Sequence, residues 1–147
     1  MSFIFSKEKG LEPYSFLILK NDTLGTLCGY VGIPESHIFY RKHYNQYLDE
    51  CSDYIVYRKG EGQSSIESLL SVHGGVTFTG NTLEGMDPHL WYIGFDCAHA
   101  GDLILYLPLN IRSWDDVFRD EIYVMKELES LLEQLKMIQE KGLPSEK

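Results

Sequence analysis

The sequence is poor in cysteine: three thiols, at positions 28, 51 and 97, with no C-x-x-C pair among them. An odd number of widely spaced cysteines builds neither a disulfide framework nor a zinc ribbon, so free thiols are expected. Basic residues are also scarce. Thirteen Lys and Arg face twenty-two Asp and Glu, a net charge of -9. Such a surface repels the phosphates of duplex nucleic acid unless cations are locally concentrated, so no duplex-binding partner is expected. No window approaches the roughly 18 uncharged apolar residues of a membrane helix. The opening run, Met1-Ser2-Phe3-Ile4-Phe5-Ser6-Lys7-Glu8, meets charge too early for a signal-peptide core. A cytoplasmic protein without a membrane partner is the expectation. There is no internal repeat, low-complexity tract or linker, and 147 residues are the length of one domain, 1–147. Aromatic residues, by contrast, are abundant: ten Tyr, seven Phe and two Trp exceed what a small core requires and suit ligand or partner contacts.

Apolar runs at 14–20 and 26–31, the second framed by Gly25, Gly29 and Gly32, predict two strands. Residues 34–47 mix His37, Arg41, Lys42 and His43 with Phe39, Tyr40, Tyr44 and Tyr47 without a period, which reads as a functional loop. Further strands are predicted at 54–57, within 69–79 around Gly74-Gly75, at 90–97, and at 103–107 up to Pro108. Ser113-Trp114-Asp115-Asp116 sets a capping hydroxyl before two acids, and a long helix is expected to follow, ending near Lys141-Gly142. Its apolar stripe is Val117, Val124, Leu128, Leu131, Leu135 and Ile138, with Phe118, Ile122, Met125 and Leu132 beside it. That face is wider than one sheet usually covers, which motivates a homodimer through this helix.

The densest polar cluster is Asp96-Cys97-Ala98-His99-Ala100-Gly101-Asp102, among small residues after an apolar strand. Strand spacing would place Cys97 and His99 on one side and Asp96 on the other. Cys97 and His99, completed by His73 or Asp102, are candidate zinc ligands, though the spacing is not diagnostic. The same residues could support nucleophilic catalysis, with the Cys97 thiol deprotonated by His73 or His99 and the imidazole oriented by Asp96 or Asp102. Against both stands the usual fate of a free cysteine, burial as a small hydrophobe. The third reading is a binding pocket. His73-Gly74-Gly75 offers amides for phosphate oxygens, Thr77 a hydroxyl, and Phe78, Trp91, Tyr92, Phe95 or Tyr30 a ring to stack on a base. Arg112 and Arg119 could pair with phosphate, or simply with Asp115, Asp116 or Asp120.

Several strings occur together: 28–35 (Cys-Gly-Tyr-Val-Gly-Ile-Pro-Glu), 72–77 (Val-His-Gly-Gly-Val-Thr), 94–102 (Gly-Phe-Asp-Cys-Ala-His-Ala-Gly-Asp), Phe118-Arg119-Asp120 and Tyr123-Val124. They resemble a family of small uncharacterised proteins of bacteriophages, prophages and their bacterial hosts. The resemblance covers most of the chain outside the N-terminal strand and residues 48–68. It implies a counter-defence context, in which small acidic phage proteins hold cyclic or ADP-ribose-derived nucleotide signals.

The expectation is therefore an α+β domain, an antiparallel-rich sheet of five or six strands with a long C-terminal helix packed on one face. Its expected role is sequestration of a nucleotide-derived ligand, with no cofactor. The alternative is a Cys/His or metal-dependent hydrolase of a phosphorylated or amide substrate. The expected ligand-binding residues are Tyr30, His73, Gly74, Gly75, Thr77, Phe78, Trp91, Asp96, Cys97, His99, Asp102 and Arg119. In the binding reading, His73 and the glycine amides hold phosphate, and Asp96 or Asp102 accepts ribose hydroxyls.

Overall fold

The computed structural model describes residues 1–46, 48, 65–108 and 113–142. Within them lies a five-stranded antiparallel sheet of β1 (Ser2–Lys7), β2 (Ser15–Lys20), β3 (Leu27–Ile33), β4 (Phe78–Gly80) and β5 (Trp91–Asp96), in the order β1-β2-β3-β5-β4. A single turn, α1 (Ile66–Leu69), and the long helix α2 (Glu121–Gly142) complete the elements. The architecture is the expected α+β arrangement. The strand predicted at 54–57, Cys51, Tyr47 and Arg112 lie outside the described residues.

Alternation divides each central strand between two cores. Phe16 and Ile18, Val31 and Ile33, and Ile93 and Phe95 face α2, which supplies Val124, Leu128, Leu131, Leu132, Leu135 and Ile138. Leu17, Leu19, Cys28, Tyr30 and Tyr92 form the opposite face, covered by Phe78, Leu83, Met86 and Leu90. The central strands β2, β3 and β5 are thus buried on both sides, while the edge strand β1 is largely exposed. Each fully buried leucine of the helix contributes about 1.5–3 kcal/mol of hydrophobic stabilisation.

The glycines of β3 and β5 make this two-sided packing feasible. Gly94 lies opposite Tyr30, Gly32 opposite Tyr92 and Gly29 opposite Phe95. A Cβ on Gly94 would lie 2.3 Å from the Tyr30 ring and 2.8 Å from the Gly29 carbonyl oxygen. One on Gly29 would meet the Phe95 ring at 2.8 Å and Val124 at 2.9 Å. Each large ring therefore lies over a cross-strand glycine, and Gly29 also sets how closely α2 approaches.

Three expectations about elements are corrected. Around Gly74-Gly75 the chain makes a turn with positive φ at both glycines, and only Phe78–Gly80 is strand. Residues 103–107 are not a strand: Leu103 N–H donates to the Val117 carbonyl (2.8 Å), and Leu107 N–H turns back to Ile104. Finally, Ser113 and Asp116 close their own small turn, while α2 begins at Glu121 with the Asp120 carboxylate accepting the Tyr123 N–H (2.9 Å). Asp120 outcompetes Ser113 as cap because the 117–119 segment is held beside 101–103 before the helix can start. Of the flanking apolar stripe, Leu132 is buried, Ile122 is 69% exposed and Phe118 precedes the helix, so the sheet absorbs most of the wide face. No helix among the described residues is long and apolar enough to cross a membrane.

Candidate functional site

β5 ends at Asp96, the alternation persists as far as Cys97, whose N–H still donates to the Leu27 carbonyl (3.1 Å), and the chain then turns, so His99 no longer follows it. Cys97 faces the helix-side core, whereas Asp96 and His99 meet, with His99 Nε2 3.1 Å from Asp96 Oδ1. That approach lacks hydrogen-bond geometry and leaves His99 Nε2 buried without a partner among the described residues. The expected opposition of Asp96 to His99 is thereby corrected.

Asp102 is the hub of the cluster. Its side chain is 0% exposed, and three donors converge on it: His73 Nε2 (2.8 Å) and the His99 amide (3.0 Å) on Oδ2, and Arg119 Nε (2.9 Å) on Oδ1. Burial pushes its pKa up, but the hydrogen bonds from His73, Arg119 and the His99 amide outweigh it and hold the carboxyl below its ordinary value. Because a carboxylate can only accept, His73 Nε2–H donates to Asp102, and Nδ1 is hydrogen-bonded to the Tyr123 hydroxyl (2.7 Å). The Arg119 guanidinium lies 4.8 Å over the Tyr123 ring. Helix α2 extends this connection along one flank: Glu127 accepts the His73 N–H (2.7 Å), and Gln134 bonds both the N–H and the carbonyl of Ser71 (2.7 Å each). One buried carboxylate therefore joins the 71–75 turn, the 96–102 turn and the start of α2.

Two hollows flank the 96–102 turn, with Ala98 in the wall of both. One, of about 500 Å³, is lined by His99, Gly101, Asp102, Ser113, Asp115 and Asp116 among others and is rich in acid. The second, of about 340 Å³, lies across the sheet from α2, among Thr26, Cys28, Tyr30, Thr77, Phe78 and Asp96. That volume is at the small end of ligand-sized sites, which run from about 300 to 1,000 Å³. In its wall Thr77 donates to Asp96 Oδ2 (2.9 Å) and the Ala98 amide to Asp96 Oδ1 (3.0 Å). Thr26, only 1% exposed, has an Oγ1 with no hydrogen-bond partner among the described residues. Burial pushes the Cys28 thiol up to about 11 and the Tyr30 phenol well above its ordinary value, so both stay protonated.

The expected site residues are therefore divided between two places. His73, Gly74, His99, Asp102 and Arg119 converge around the buried carboxylate, and Gly74 abuts His99 so closely that a Cβ there would lie 2.2 Å from its ring. Tyr30, Thr77, Phe78 and Asp96 line the second hollow. His73 is a poor phosphate ligand because both ring nitrogens are taken, and the Gly75 amide is engaged by the Val72 carbonyl (2.8 Å). Asp102 already accepts three hydrogen bonds, which leaves it a poor acceptor for ribose hydroxyls. Trp91 stands at the far end of β5, buried, its Nε1–H donating to the Lys42 carbonyl (2.9 Å), and it lines neither hollow. Cys97, 2% exposed, has its thiol pushed up to about 12 by burial, with Asp102 adding to the shift. A thiol held protonated in the core and lining neither hollow fits neither the ligand contact expected of Cys97 nor the alternatives of nucleophile and zinc ligand. Among the described residues no three His, Cys, Asp or Glu side chains are grouped to hold a metal ion.

The 34–46 segment also departs from its reading as a functional loop. His37 is buried, with Nε2–H donating to the Leu135 carbonyl (2.9 Å) and Nδ1 accepting the Phe39 amide (3.0 Å). Burial pushes it down to about 4, against a weaker opposing pull from the Leu135 carbonyl. His43 and Tyr40 pack their rings near Trp91. This segment closes the end of the helix-side core. Thr26, Tyr123 and Glu127 are the residues that reading the sequence missed. The i, i+4 spacing of the last two beside an apolar stripe was the available signal.

No family model, curated protein or solved structure matches the chain.

Proposed function

We propose that the chain is a small-molecule binding protein that takes up a nucleotide-derived ligand in the hollow lined by Thr26, Tyr30, Thr77, Phe78 and Asp96. The observation that carries this reading is the Thr26 hydroxyl, buried in the wall without a partner among the described residues. Leaving such a group unsatisfied costs about 1–3 kcal/mol, a cost that a ligand's polar atom would remove. Asp96, 33% exposed at its side chain, keeps a lone pair on Oδ2 for a further donor, and Phe78 offers an aromatic surface for a base. Retention without turnover is the simpler chemistry here, since Cys28, Tyr30 and Cys97 are all held protonated.

Holding a signal without consuming it suits the counter-defence context that the phage resemblance implies, and a cytoplasmic location goes with that role. Calorimetric titration with cyclic dinucleotides and ADP-ribose isomers tests the reading. It expects a saturable signal, weakened by Thr26→Val, and recovery of the ligand chemically intact. A flat response to the whole set contradicts it. A homodimer through α2 belongs to the same proposal, resting on the exposed Ile122. Sedimentation that shows only monomer at micromolar concentration removes that part.

A further inference from the structure

The charge pattern of the hollow narrows its ligand, an inference that rests on the binding reading above. Among the described residues no Lys or Arg lines it, and the ammonium group of Met1, which also lines it, is taken by Asp22 (2.8 Å). The Cys28 thiol and the Tyr30 phenol are neutral. Asp96 is the one carboxylate among the described lining residues; its Oδ1 accepts from the Ala98 amide and is approached by His99 Nε2 (3.1 Å), while Oδ2 accepts from Thr77 and keeps a lone pair for a further donor. A phosphate seated in this hollow would face an anion with no unpaired Lys, Arg or ammonium group beside it among the described residues, whereas vicinal sugar hydroxyls would find an acceptor, as ribose hydroxyls do on the acid of dinucleotide-binding folds. The alternative phosphate cradle is also closed, because both His73 nitrogens and the Gly75 amide have partners within the protein.

We infer that the hollow selects the uncharged nucleoside part of its ligand, with the sugar hydroxyls on Asp96 and Thr26 and the base against Phe78, and leaves any phosphate outside. A nucleoside and its 5′-monophosphate should then bind with affinities within about threefold of each other. Titration calorimetry of the full chain with adenosine, guanosine, cytidine and uridine, each beside its 5′-monophosphate, tests this. For at least one base the expected result is matched affinities that change little between 50 and 300 mM salt, since no phosphate contact is made. Asp96→Asn should lower both members of that pair about tenfold, and Thr26→Val should lower them as well, with thermal melts confirming that each variant folds. A monophosphate bound tenfold or more tightly than its nucleoside, or binding unmoved by Asp96→Asn, overturns this inference and leaves the binding reading standing. Flat titrations for every nucleoside and monophosphate, with cyclic dinucleotides or ADP-ribose isomers still bound, overturn it as well, and silence from all of these compounds sinks both readings.

Discussion

Thr26→Val separates what the hollow contributes to stability from what it contributes to binding. The backbone of Thr26 closes a turn, with the Asn21 N–H donating to its carbonyl (2.8 Å), and the substitution leaves that bond in place. What changes is a buried hydroxyl without a partner among the described residues, replaced by a methyl of similar volume on the same β-branched stem. An unsatisfied buried hydroxyl costs about 1–3 kcal/mol, so the ligand-free variant should be about 1 kcal/mol more stable than the parent. In a chain of this length that corresponds to a midpoint about 2–4 °C higher. Calorimetric or urea unfolding of both proteins without ligand reads the difference directly. The same variant should bind its ligand more weakly, so stability and affinity move in opposite directions. A variant destabilised by 1 kcal/mol or more would show that the hydroxyl has a partner in the folded protein, and the case for an open polar group in the wall would collapse.

Asp102→Ala strips the acceptor from His73, Arg119 and the His99 amide at once and should cost about 3–5 kcal/mol in urea unfolding, as breaking a buried charged pair does. A loss under 1 kcal/mol would mean that the three segments are held by other contacts. His37 gives a pH signature. Its folded pKa is pushed down to about 4 from 6.5, so the unfolded chain binds the extra proton between those values. Stability contributed by the neutral ring is full above pH 6.5 and declines as pH falls toward 4, by about 3 kcal/mol at one unit per 1.36 kcal/mol. His37→Gln should flatten that stretch of the stability profile, and an unchanged slope would refute the assignment. Native alkylation with iodoacetamide at pH 8, read by peptide mass, should leave Cys28 and Cys97 unmodified until the protein is unfolded; rapid labelling of Cys97 would restore it as a reactive thiol.

The strands at Ser15–Lys20, Leu27–Ile33 and Trp91–Asp96 and the body of α2 were readable from the sequence because alternation and three-to-four spacing are local properties of the chain. The helix start was not, since the competition between Ser113 and Asp120 was decided by the pairing of Val117 with 101–103, a contact between segments. The cluster of His73, His99, Asp102 and Arg119 was legible as a set of chemically capable residues. Its internal bonding was not. Which His73 nitrogen faces Asp102, and that Tyr123 occupies the other, depends on where α2 docks. Strand parity still holds at Cys97, which faces the helix-side core with Ile93 and Phe95, and fails at His99, which lies past the end of the strand and turns back to Asp96. Thr26 carried no signal of its own: a threonine at the head of a strand is ordinary until burial leaves its hydroxyl without a partner among the described residues.

The most direct test is an amide NMR titration of the full chain with the tightest-binding nucleoside. The shifts should be largest at Thr26, Cys28, Thr77, Asp96 and Ala98, with little change at Gly74 and Gly75. Shifts centred on Gly74 and Gly75, or none anywhere at saturating ligand, would contradict the placement of the ligand between Thr26 and Asp96.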